Sequence, residues 1–119
     1  RCTTPPAWSF GAHVATNGFT FLTSAHFGED HRGDVFAALH GSWNSSVRVG
    51  YEVQRVLFDD ATGRPYGALT IVRALGEGGR VLARPVDCVE SPDGSVLFSC
   101  DATGRIYRIS RDEGRAIAE

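Results

Sequence analysis

Residues 85–110 read PVDCVESPDGSVLFSCDATGRIYRIS. Three short apolar runs, at about 84–90, 95–100 and 105–110, are separated by two turn signatures. SPDG at 91–94 sets Pro and Gly where a chain reversal uses them. DATGR at 101–105 sets an Asp able to bond local backbone ahead of a Gly free to take positive φ. The runs are too short for typical helices and rich in Val, Ile, Phe and Tyr, so they read as antiparallel strands of one sheet.

The same punctuation continues toward the N-terminus. Four further strands are expected at about 19–23, 35–40, 51–58 and 68–75. They are separated by AHFGEDHRG (25–33), GSWNSSVRVG (41–50) and DDATGR (59–64), and Glu77-Gly78-Gly79 ends the last of them. Along 51–58, Tyr51, Val53 and Leu57 share a face with Arg55, whereas Val56 and Phe58 lie on the other. DATGRPY starts at Asp60 and DATGRIY at Asp101. The echo is roughly 40 residues, a propeller-blade interval. It follows a third strand in one case and a second strand in the other, so it is either blade register or repeated turn chemistry.

The fold expected is all-β: antiparallel four-stranded blades of a β-propeller, present as a partial propeller. Residues 1–18 form an irregular lead-in and 19–75 a first blade. Residues 84–110 form a second blade of three strands whose fourth is supplied elsewhere, and 111–119 are a tail. Two blades alone expose two apolar faces, so the remaining blades are expected from missing sequence or another chain. The rival is a small sandwich or partly open barrel, which would bury the same strands unaided.

With 119 residues, 42 % hydrophobic and 22 % charged, the chain suits one folded domain. A net charge of -2, from 12 Lys+Arg against 14 Asp+Glu, argues against a nucleic-acid or anionic-membrane surface. No run has the apolar length of a transmembrane segment. The chain begins at Arg1 and contains no Met, and reads as a processed or excised piece. Every basic side chain other than His is Arg, which excludes lysine chemistry. Of the three cysteines, Cys2, Cys88 and Cys100, the last two either pair across a hairpin or stay as buried thiols. No Cys/His spacing fits structural zinc. His26 and His31, in a polar loop, read as solvated, and Asp34 as an acceptor for backbone N–H groups at the next strand.

HRGDVFAALHGSWNSS (31–46), GYEVQRVLFDDATGRPYG (50–67) and ARPVDCVESPDGSVLFSCDATGRIYRIS (83–110) together resemble the C-terminal part of the glucose/sorbosone dehydrogenase family. AHVATNGFTF (12–21) is similar to that family's AHxAxxGxxFY segment. The likeness spans residues 12–110. It implies the last two blades of a six-bladed, periplasmic or secreted propeller that oxidises a sugar or polyol with pyrroloquinoline quinone (PQQ). Ca²⁺ is implied as well, with its ligands and the catalytic base outside this chain.

The resemblance also implies cofactor contacts. Arg84, just before Pro85, would meet a quinone carboxylate, which a planar guanidinium matches with two parallel hydrogen bonds. His40, Trp43 and Asn44 would come from the long loop over the channel, and His13 from the segment lining the pocket. Some members hold the quinone with a Lys near ALHGSWN. This chain has none, which leaves a shifted use of Arg48, a different cofactor or no cofactor. The alternatives are a non-catalytic propeller scaffold or binding module, and an enzyme of another class on the same fold, such as a lactone hydrolase.

Overall fold

The computed structural model describes residues 3–43 and 45–112. The expectations for Cys2, for Asn44 and for most of the tail, residues 113–119, therefore lie outside the described residues. The chain forms seven strands in two antiparallel sheets. The first holds β1 (Thr16–Phe21), β2 (Val35–Leu39), β3 (Glu52–Phe58) and β4 (Pro65–Arg73) in that order. The second holds β5 (Pro85–Glu90), β6 (Val96–Cys100) and β7 (Arg105–Ile109).

Every expected strand is present, with β1 and β4 each displaced toward the N-terminus at both ends. β1 starts at Thr16, inside the stretch read as irregular. β4 starts at Pro65, directly after the turn, where Pro65 pairs with Phe58 and Gly67 with Leu57. A proline is tolerated at the first residue of a strand, where its missing N–H costs least.

The period-2 alternation of side chains fixes which residues meet. Leu22, Phe36, Ala38 and Val53 of the first sheet pack against Cys88, Val96 and Phe98 of the second. Phe27, Val72, Tyr107 and Ile109 close the edges of this core. On the opposite face of the first sheet, Val35, Ala37, Leu39 and Val56 form a second cluster with Val14, and Trp8 and Phe10 of the lead-in segment lie against it. All five residues of β2 are consequently buried. This explains why that run is continuously apolar rather than alternating. At Gly18 the two sheets approach so closely that a Cβ would collide with the Asp87 side chain.

Asp34 is buried and does what the sequence suggests. One carboxylate oxygen accepts from the Phe58 backbone N–H at 2.9 Å, and the other accepts from Arg55 Nε at 2.7 Å. The Arg55 guanidinium also donates to the Asp30 carbonyl at 2.7 Å. Arg55 lies on the core-facing side of β3, and these bonds compensate for the burial of its charge. Cys88 and Cys100 are both buried free thiols. Their strand register sets Cys88 opposite Phe98 and Cys100 opposite Pro85, so they are not cross-strand partners. His31 departs from the solvated expectation, since only 19 % of its side chain is exposed and it lies against Phe27.

Each sheet keeps part of one apolar face open. On the first, Phe19 and Phe21 are 59 % and 51 % exposed and border a shallow depression with Phe10 and Phe58. On the second, Val89 and Ile106 are 56 % and 71 % exposed and border another with Leu97. Among the described residues no helix is long and apolar enough to cross a membrane.

Candidate functional site

The connection between β2 and β3 carries the site, and it is held by its own hydrogen bonds. The Ser42 N–H donates to the Val49 carbonyl at 2.9 Å, and the Val49 N–H returns to Ser42 Oγ at 2.9 Å. Tyr51 Oη donates to the Ser42 carbonyl at 2.7 Å. Gly41 and Gly50 have φ of 113° and 80°, and a Cβ on Gly50 would come within 2.8 Å of the Gly41 Cα. Glycine is required for so tight a crossing. The loop is pinned at its base, and Trp43 is presented at its tip, 87 % exposed.

Trp43 stands between two depressions. The larger, about 420 Å³, is bordered by Trp43, Ser45, Arg48, Tyr51 and Arg84. The smaller, about 230 Å³, is bordered by His13, Ala15, Gly41 and Trp43. Among the described residues, the non-glycine residues with positive φ are His13, Ala15 and Tyr51, at 65°, 52° and 56°. All three line these depressions. Such conformations cost on the order of 1–3 kcal/mol each and cluster where ligands are gripped.

The sequence candidates converge only in part. Arg84 and Trp43 share the larger depression, while His13 lies across Trp43 in the smaller. His40 borders neither and instead joins Arg84 through Asp101. His40 Nε2 lies 3.0 Å from Asp101 Oδ2, and Arg84 Nε donates to Asp101 Oδ1 at 2.9 Å. Burial pushes the Asp101 carboxyl up. The hydrogen bond and charge of His40, followed by Arg84, outweigh that and hold it below the usual carboxylate range. The Nη groups of Arg84, and the whole Arg48 guanidinium, have no hydrogen-bond partner among the described residues.

Asp101 was missed in the sequence because DATGR reads completely as turn chemistry. Arg48, Tyr51, Ser42 and Ser45 complete the cavity wall. Among the described residues no three His, Cys, Asp or Glu side chains come together to hold a metal ion. The arrangement is cationic and hydroxyl-rich with one exposed aromatic plane, which suits a flat polyanion better than a metal.

Residues 1–112 match the family model described as TrAA12-like. The chain belongs to the TrAA12-like family. This TrAA12-like chain is 34 % identical over 106 residues to an uncharacterized protein of Borreliella burgdorferi, covering 88 % of this chain and 28 % of that protein. The fold of this chain is similar to that of part of the Carbohydrate-Active Enzymes Family AA12 protein of Trichoderma reesei. Iodide and calcium structures of that protein both align with TM-scores of 0.67 at 24 % identity, over 82 % of this chain and 25 % and 24 % of theirs. The holo form of the pyranose dehydrogenase PQQ domain from Coprinopsis cinerea aligns with a TM-score of 0.60 and 26 % identity, over 83 % of this chain and 27 % of that one. The TrAA12-like chain thus spans about a quarter of the length of these relatives. Its two sheets have the propeller-like architecture of the AA12 fold.

Proposed function

We propose that this chain forms two blades, the last two, of a PQQ-dependent dehydrogenase that oxidises a sugar or polyol. The reading is carried by Arg84, whose Nη groups are unengaged among the described residues at the wall of the cavity that Trp43 overhangs. A volume of about 420 Å³ falls within the range of small-molecule sites. Membership of the TrAA12-like family and the likeness to a PQQ domain support the same reading. The ALHGSWN and RPV motifs support a placement beside the glucose/sorbosone dehydrogenases.

The residues present fit PQQ. Arg84 would hold one carboxylate bidentately and Arg48 would stand in for the missing lysine, while Trp43 would cover the ring plane. His13 would close the second side, with His40 behind Arg84. When bound, the quinone supplies the two-electron acceptor for alcohol oxidation. This chain's residues bind it, orient it and exclude water from one side. The base and any Ca²⁺ ligands would come from other blades. Those blades would also cover the open faces around Phe19 and Ile106. A periplasmic or secreted location belongs to the same proposal.

The full-length protein, titrated with PQQ and Ca²⁺, should gain the absorption of bound quinone and reduce an artificial electron acceptor with some member of a sugar and polyol panel. Arg84→Ala should weaken PQQ binding at least tenfold. PQQ binding without turnover on any substrate would favour the scaffold reading. No PQQ binding at all would sink the proposal.

A further inference from the structure

We propose that Asp101 is a positioning residue that sets the proton on His40 and the aim of Arg84, tying the two blades together at the rim of the cavity. The inference rests on reading that cavity as a PQQ site. Asp101 lies in the turn between β6 and β7. His40 directly follows β2 of the first sheet, and Arg84 directly precedes β5 of the second. The two groups take opposite oxygens of one carboxylate, at 3.0 and 2.9 Å.

An ionised carboxylate only accepts hydrogen bonds, so His40 Nε2 must carry the hydrogen. In the neutral ring, Nδ1 is then the bare acceptor. With Nε committed to Asp101, the plane of the Arg84 guanidinium is fixed, and its Nη pair is left to meet an anion in parallel.

The turn itself does not need this carboxylate. In the first copy of DATGR the equivalent residue, Asp60, makes no side-chain hydrogen bond among the described residues, and the preceding Asp59 ties the turn to Thr62. In the second copy the position before is Cys100. Asp101 is also about half exposed, so burial does not demand its two partners. One turn sequence therefore occurs twice, and only the copy beside the cavity spends its aspartate on Arg84 and His40.

The test uses full-length protein with ¹⁵N-labelled histidine, the His40 signals being assigned with His40→Gln. Wild-type His40, when neutral, should be the Nε2–H tautomer without any cofactor. In Asp101→Asn the side chain has one acceptor and one donor. Turning its carbonyl to Arg84 faces an N–H toward His40, which should move the ring to the Nδ1–H tautomer. In Asp101→Ala the tautomer should become mixed. PQQ affinity, read from tryptophan fluorescence, should change little in Asp101→Asn, whose carbonyl still holds Arg84, and fall about tenfold in Asp101→Ala. In the Arg84→Ala background the same change should add nothing, because Asp101 acts through Arg84. A wild-type Nδ1–H tautomer, a tautomer unmoved by both variants, or losses that multiply in the double variant would each overturn the assignment. Failure of the wild type to bind PQQ would instead overturn the functional reading, and the cofactor-free nitrogen shifts would still decide the role of Asp101 toward His40.

Discussion

Gly41 rests flat on the ring of Tyr51: a Cβ added to Gly41 would lie 2.6 Å from three of the ring carbons. The contact holds the base of the cavity loop, and Gly41 is there at φ 113°. Gly41→Ala meets both the clash and the strained backbone, so it should destabilise the protein by about 3 kcal/mol in urea unfolding. Tyr51→Phe keeps the ring and loses only the bond to the Ser42 carbonyl. It should cost about 1 kcal/mol.

Asp34→Ala leaves the Arg55 guanidinium buried without its carboxylate. The expected loss is about 3–5 kcal/mol. Adding Arg55→Met should recover much of it, because the uncompensated charge is then gone. Denaturant melts of the two single variants and the double decide this. Equal and additive losses would show that the pair is not coupled.

Burial, reinforced by the Asp87 charge, pushes the Cys88 thiol from an ordinary 9.0 up to about 12. The folded state therefore favours the neutral thiol. Its contribution is intact below pH 9.0 and is lost as pH rises toward about 12, at about 1.4 kcal/mol per pH unit. The stability difference between wild type and Cys88→Ala, followed by denaturant melts across that window, should shrink as pH rises. A constant difference would contradict the burial effect.

Glu90 bridges the sheets at the acid end of the scale. Its carboxylate accepts from the Thr23 backbone N–H at 2.8 Å and the Ser24 backbone N–H at 3.3 Å, and also from the Thr23 hydroxyl. Burial works against its charge, but the bonds from Thr23 and Ser24 prevail and hold the carboxyl below its ordinary 4.5. The sign is opposite to that of Cys88: stability is present above pH 4.5 and lost as pH falls through the lowered value. Glu90→Gln should be less stable than wild type at pH 7 and converge with it in acid.

The open faces predict how this chain behaves alone. As an isolated 119-residue chain it should self-associate through the Phe19/Phe21 and Val89/Ile106 surfaces. Phe19→Glu with Ile106→Glu should shift sedimentation toward the monomer without lowering the melting temperature. A monomeric wild-type chain would mean that neither face needs a neighbour.

All seven strands were legible because turn chemistry and apolar runs bound each of them. The start of β1 was not, since Asn17 and Gly18 look like turn residues. Gly18 is there because Asp87 of the other sheet fills the space a side chain would take, a constraint that arises only once the sheets meet. The lining of the two depressions was legible to the extent that motifs named Arg84, Trp43 and His13. His40 sits back from the cavity, and Asp101 was hidden because DATGR at 60–64 and 101–105 looks the same in sequence. The two copies differ only in which neighbours the fold brings within reach.

The loop over the cavity and strand β2 are adjacent in sequence yet opposite in tolerance. Val35–Leu39 is covered on both sides, so each of those positions answers to a filled volume. Past it, Ser42, Val49 and Tyr51 clasp the loop at its base and leave the tip around Trp43 unburdened by packing. Side chains at that tip can accordingly be exchanged at little cost to the fold, on a pedestal that would not register the change.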